Sequence, residues 1–130
     1  MNIPAELVYA ETDEWLLVDG SKATIGISDY AQDQLSDVVF VDYVVSVGDT
    51  VEKGQHIVTV ESVKAAADVL APASGRVVAV NEDLPQSPEL VNKEPYTGAW
   101  MVKIELSNPA EARGLMNSDA YSKYLQERSH

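Results

Sequence analysis

Lys64 stands in Glu61-Ser62-Val63-Lys64-Ala65-Ala66-Ala67-Asp68, between two β-rich stretches punctuated by glycine. A lysine held at such an apex is an attachment point: a flexible stem ends in an amine that a transferase or ligase can convert to an amide, and its charge disappears on modification. A valine-lysine pair by itself carries no such message, because a surface lysine is its usual meaning. The flanks supply the context. Upstream, Val47 to Gln55 contains a Gly48-Asp49 turn and leads into His56-Ile57-Val58-Thr59-Val60, whose period of two predicts a half-buried strand. Downstream, Leu70-Ala71-Pro72-Ala73-Ser74-Gly75 leads into the strand-like Arg76 to Val80. Gly48, Gly54 and Gly75 are read as supplying the positive φ that tight turns require, and Pro72 limits a strand end. The two flanks read as mirrored halves of one small fold, with Lys64 at a hairpin tip over about residues 57–70 and the chain termini away from it.

The remaining elements follow from local pattern. Val8 to Val18 reads as a strand that turns at Asp19-Gly20 into Ala23 to Ile27. Ser28 is a cap for a short helix over Asp29 to Leu35, with Ile27, Ala31 and Leu35 on one face. Val38-Val39-Phe40-Val41 predicts a buried strand, and the apolar run continues through Tyr43-Val44-Val45. Residues 81–97 contain Pro85, Pro88 and Pro95 and read as a long surface connection with at most one short helix. Ala99 to Leu106 is a further strand. Asn108-Pro109 gives a cap followed by proline at the first helical position, opening C-terminal helices over about residues 109–127: Ala110 to Met116 and Asp119 to Gln126, the second with Tyr121, Tyr124 and Leu125 on one side. The fold class is therefore mainly β with a few short peripheral helices, in a single domain over 1–130.

Composition narrows the function. Nine basic against 21 acidic residues give a formal charge of −12 and a pI near 4.3, which argues against nucleic acid and anionic membranes as partners. Basic docking surfaces on partner proteins fit the charge, as does plain solubility. With no cysteine, the chain has no disulfide, thiolate metal site or cysteine nucleophile, so any sulfur chemistry must arrive on a cofactor. His56 and His130 lack ligand-like spacing, and no metal site is expected. The N-terminal residues lack a signal-peptide pattern and no segment reaches membrane-spanning length. A bacterial cytoplasm is the default compartment, a mitochondrial matrix the alternative for a processed chain. No nucleophile–base pair, phosphate-cradling loop or metal cluster marks an enzyme.

Several blocks occur in order: Glu14-Trp15, Ala23 to Gln32, Asp37 to Val41, Glu61-Ser62-Val63-Lys64-Ala65, Ala71 to Gly75, Asn81-Glu82, Pro88 to Asn92, Pro95-Tyr96 and Gly98 to Ile104. Together they resemble the H-protein family of the glycine cleavage system, within the lipoyl and biotinyl carrier superfamily, almost from end to end. The resemblance implies a lipoyl-type barrel-sandwich hybrid, a lipoate amide on Lys64 and a carrier that catalyses nothing alone. It also implies three enzyme partners. A pyridoxal-phosphate glycine decarboxylase loads an aminomethyl group, a tetrahydrofolate-dependent aminomethyltransferase unloads it, and dihydrolipoyl dehydrogenase reoxidises the arm. A lipoylating enzyme is the fourth partner, and the carrier reads as a monomer. Within the attachment motif, Glu61, Ser62, Val63 and Ala65 are implied recognition residues; Glu61 also reads as a solvated acid in an acidic chain.

By the same resemblance the loaded arm folds into a cleft where Thr12, Glu14 and Asp68 accept hydrogen bonds from its ammonium, away from water that would release formaldehyde and ammonia. The plainer readings are strand-edge polarity for Thr12 and Glu14 and turn chemistry for Asp68. Trp15 and Trp100 read as core or cleft walls, and Gly26 as a backbone requirement. Two departures stand out. Asp13 replaces the histidine common before the Glu-Trp pair, which adds negative charge near the expected ammonium site. Asp42-Tyr43-Val44 replaces an acid, apolar residue and proline, and the approach to Gly48 is one residue longer. Competing readings are a related lipoate carrier of another sulfur or lipoyl-relay pathway, and an unmodified scaffold domain. A biotin carrier fits less well, because Val63 and Ala65 flank the lysine where that class has methionines.

Overall fold

A computed structural model describes residues 1–128; His130, considered above as a metal ligand, lies outside them. Among the described residues nine strands form two antiparallel sheets, as expected of a mainly β chain, and neither sheet closes into a barrel. The larger sheet has the order β1 (Val8–Tyr9), β2 (Glu14–Asp19), β3 (Lys22–Ile27), β9 (Val102–Leu106), β8 (Gly75–Val80), β5 (Thr50–Val51). The smaller contains β4 (Val38–Tyr43), β6 (His56–Ser62) and β7 (Ala66–Leu70), in that order. Valine and isoleucine from both sheets meet in one core, with Leu16, Ile25, Ile57, Val58, Val60, Val77 and Ile104 fully buried. β-Branched side chains suit these strands because their restricted rotamers pack well on a pleated face.

β2 and β3 are joined through Gly20, whose φ of 64° at the first loop position is the pattern of a two-residue hairpin turn compatible with strand twist. α1 (Asp29–Leu35) begins where Ser28 Oγ accepts from the Ala31 amide at 3.2 Å, as the capping pattern predicts. α5 (Ser118–Arg128) buries Tyr121 and Leu125 against Leu7, Tyr9 and Trp15, forming a second apolar cluster beside the main one. Tyr9 and Tyr121 stack with ring centroids 4.5 Å apart.

Several expectations are corrected. The strand over Val8 to Val18 is interrupted by a turn at residues 10–13, which leaves β1 and β2 as partners in register Val8 with Leu16. The apolar run at 38–41 is not a buried strand: β4 is an edge with a register shift between Val38 and Phe40, and it exposes 54% of Val39 and 47% of Phe40. Residues 81–97 hold two helical turns, α2 (Asp83–Gln86) and α3 (Leu90–Lys93), which plug Leu84 and Val91 into the core. Proline spacing concealed this because each turn contributes only one buried residue, too few to set a period. Pro109 is the residue before α4 (Ala110–Arg113) rather than its first, and that helix stops short because Met116 bridges to Tyr9 through paired backbone hydrogen bonds. Gly48 and Gly54 do adopt positive φ, but Gly75 does not. Gly75 is a strand residue with no room for a side chain, since an added Cβ would lie 2.3 Å from the Glu105 carbonyl oxygen.

Candidate functional site

The antiparallel hairpin of β6 and β7 projects Lys64 on an exposed three-residue tip, Val63 to Ala65. Ser62 builds the tip. Its Oγ accepts from the Lys64 amide at 3.1 Å and the Ala65 amide at 3.0 Å, and donates to the Ala65 carbonyl at 3.0 Å. The Ser62 amide also donates to that carbonyl, and the Val63 amide donates to the Asp37 carbonyl. The backbone is thus pinned while the lysine stem is free. Glu61 is exposed on β6 beside the tip, paired in register with Phe40 on one side and Ala66 on the other. Val63 is 70% exposed, so the surface around the amine is apolar as well as acidic.

Beside the hairpin lies a cavity of about 340 Å³ between β7 and α1, within the usual range for small-molecule pockets. Ile27, Ala31, Leu35, Val60, Ala67 and Val69 give it an apolar wall; Thr12, Glu14 and Asp68 line it too, so the structure brings together the three residues expected to meet the arm. Glu14 is 2% exposed, and its Oε1 accepts from the Thr12 hydroxyl while Oε2 accepts from the Leu70 amide at 3.1 Å. Burial pushes its carboxyl up to about 7, against the pull of those donors and with a further push from Asp13. A carboxyl so placed is a ready partner for a cation, because an incoming positive charge restores the ionised form in a dry setting. Asp68 behaves differently: its side chain is 66% exposed and faces the His56 ring, with Oδ1 at 3.4 Å from Nε2. It forms the rim of the cleft, and Glu14 its interior.

The added negative charge expected from Asp13 is answered by a residue that the sequence did not single out. Arg128 lines the same cavity, donating from Nη1 to Asp13 Oδ1 at 3.0 Å and from Nη2 to Oδ2 at 2.7 Å. The described end of α5 thus lies at the cleft beside the lysine hairpin, while the chain terminus itself falls outside the described residues. Nothing in the spacing of α5 marks Arg128, because its partner is 115 residues away. Ile27, Ala31 and Leu35 were legible as one face, and that face both packs on the main core and walls the cleft. Trp15 packs in the second apolar cluster, and its indole nitrogen donates to the Pro95 carbonyl at 2.9 Å. Gly26 is required by that packing: a Cβ there would meet the Trp15 ring at 2.5 Å. Trp100 is half-buried against the same cluster and carries Lys103 Nζ at 4.7 Å from its ring centroid.

A small two-sheet fold presenting one lysine at the apex of a pinned hairpin, beside a cleft with a buried carboxyl, has the layout of a swinging-arm carrier domain. The family model described as glycine cleavage H-protein matches residues 7–128. Among relatives, the mitochondrial glycine cleavage system H protein 2 of Arabidopsis thaliana is 52% identical over 122 residues, covering 94% of this chain and 78% of that one. The glycine cleavage system H protein of Nitratidesulfovibrio vulgaris is 45% identical over the whole of both chains. The crystal structure of a glycine cleavage system H protein from Mycobacterium marinum superposes with a TM-score of 0.83 at 29% identity, covering 98% of this chain and all of that one. This chain belongs to the glycine cleavage H-protein family.

Proposed function

We propose that this protein is the lipoate carrier of a glycine cleavage system, with the cofactor joined as an amide to Lys64 and the cavity beside β7 as the shelter for the loaded arm. The observation that carries this reading is Lys64 itself, alone at a tip whose backbone is fixed by Ser62 and whose side chain has no competing contact with the fold. The residues present suit the group: an exposed primary amine for the amide, an apolar wall for a hydrocarbon arm, and a buried carboxyl for a terminal ammonium. When bound, the dithiolane supplies the sulfur chemistry that a cysteine-free chain lacks. Attachment also makes each encounter with a partner site intramolecular with respect to the arm, which raises its effective concentration there.

The chain's own residues position, shield and neutralise. Ser62 holds the tip in shape, and Glu61, Val63 and Ala65 offer the lipoylating enzyme an acid and two small or branched apolar contacts around the amine. Thr12 orients Glu14 through its hydroxyl, and Glu14 takes the ammonium as a charge-assisted hydrogen bond away from bulk water. Asp68 joins as a second acceptor once it turns from His56. The chain itself performs no bond-making step in this reading. Its enzyme partners are glycine decarboxylase, aminomethyltransferase and dihydrolipoyl dehydrogenase, met in the cytoplasm or in a mitochondrial matrix, with the carrier as a monomer.

Intact mass with peptide mapping on protein from its native cell tests the reading first. A lipoyl increment on Lys64 is expected; a bare Lys64 in cells with an active lipoylation system would overturn it in favour of a scaffold domain.

A further inference from the structure

Two consecutive acids at the cleft have opposite circumstances. Glu14 is buried with only neutral donors, whereas Asp13 sits at φ 81° on the turn before it, with a cation on both carboxylate oxygens. The cation is Arg128, whose guanidinium carbon lies 4.7 Å from the ring centre of Tyr30 on α1 and 5.1 Å from that of Tyr124 on its own helix. The Tyr121 hydroxyl donates to Asp13 Oδ1 at 2.9 Å and meets Ser28 Oγ, the cap of α1, at 2.7 Å. From Tyr121 in its first turn to Arg128 at its end, α5 therefore fastens the turn that carries Thr12 and Glu14 to the helix that walls the cleft.

The charge balance gives this fastening a consequence. Without Arg128, Asp13 would be the more accessible carboxylate for an arriving ammonium, one residue from the intended acceptor, and its uncompensated charge would disfavour ionisation of Glu14. The other groups around Glu14 do not substitute: Asp68 and His56 face one another at the β7 rim, and α1 offers Tyr30 and the neutral Gln34. We propose that Arg128 is a positioning residue for the arm, which occupies both oxygens of Asp13, removes a competing cation site at the cleft mouth and so directs the arm's ammonium to Glu14. The proposal rests on the reading of the cavity as the arm's shelter.

Two readouts on the full-length protein test it. In unlipoylated protein, carbon-13 titration of the Glu14 carboxyl should show a higher midpoint in Arg128→Gln than in the parent, and a return towards the parent in the double variant Asp13→Asn with Arg128→Gln. Asparagine tolerates the left-handed backbone at position 13, so the double variant adds no strain there. In lipoylated protein loaded by reduced arm, formaldehyde and ammonium, loss of the one-carbon amine to water should be roughly three- to tenfold faster in Arg128→Gln, with the double variant restoring most of the protection. That loss adds one water, whose oxygen becomes the carbonyl oxygen of formaldehyde, breaks the carbon–sulfur and carbon–nitrogen bonds, and yields thiol, formaldehyde and ammonium.

An Arg128→Gln variant with parental titration and parental release overturns the proposal. So does one whose defects the double variant leaves in place, because Arg128 would then only support α5. Arg128→Lys, which keeps the charge without the fork, is expected to fall between parent and Arg128→Gln, and it decides the matter if the glutamine variant fails to fold. Glu14→Gln separates the two levels of the argument: if it too leaves release unchanged, the shelter reading itself fails.

Discussion

The tip and the cleft of this carrier are built by opposite means. At the tip, Ser62 satisfies three backbone groups within three residues, so the shape around Lys64 is a local property of the chain. The cleft takes its lining from the turn before β2, from α1, from β6 and β7, and from the end of α5. The tip is wet and its lysine is unconstrained; the cleft is apolar, and its key carboxyl is raised to about 7 by burial. A modifying enzyme needs to read a short exposed motif, whereas shelter for a hydrolysable cargo needs water excluded from several sides, which no single segment can do.

The difference can be attacked from each side. Lys64→Arg should have the largest effect: charge and folding are kept, the circular dichroism spectrum and melting temperature are unchanged, and lipoylation and glycine cleavage fall to background. Normal cleavage by that variant would remove the attachment claim. Gly26→Ala attacks the packing behind the cleft, since its Cβ would strike the buried Trp15 ring. A loss of about 2–4 kcal/mol in denaturant unfolding is expected, with lipoylation of the folded fraction preserved.

Glu14→Gln sharpens the electrostatic side. A carboxyl whose pKa is raised on folding stabilises the fold most below its ordinary value, and that contribution is lost as pH rises through about 7. The parent should therefore lose up to about 3 kcal/mol of stability between pH 4.5 and 8 from this group, and the variant should show a flatter profile in urea melts across that range. An equally steep profile in both would mean that Glu14 is not the group responsible. Smallest is Ser62→Ala, which releases the tip: roughly a two- to fivefold loss in lipoylation kcat/KM with no change in melting temperature, because the bonds lost are solvent-exposed.

Legibility followed the same division. Ser28 and its helix, the Gly20 turn and the hairpin around Lys64 were readable because each depends on residues within a few positions of one another. The two helical turns over 81–97 were not, since Leu84 and Val91 are single anchors whose burial depends on the sheets they cover. Exposure of Val39 and Phe40 was equally hidden, because an apolar run has no marker for which side lies at a sheet edge. The resemblance pointed to Thr12, Glu14 and Asp68, yet only the tertiary packing separates a buried Glu14 from an Asp68 turned towards His56.

By itself the sequence determined the absence of endogenous sulfur nucleophiles and the mainly β class, and it singled out Lys64 as the proposed attachment point, all of which are matters of residue type and short-range order. Tertiary structure alone decided which carboxyl is dry, which wall α1 presents to the cleft and that Arg128 neutralises Asp13 across 115 positions. The physical reason is that desolvation and ion pairing depend on everything packed around a group, and those neighbours come from distant parts of the chain.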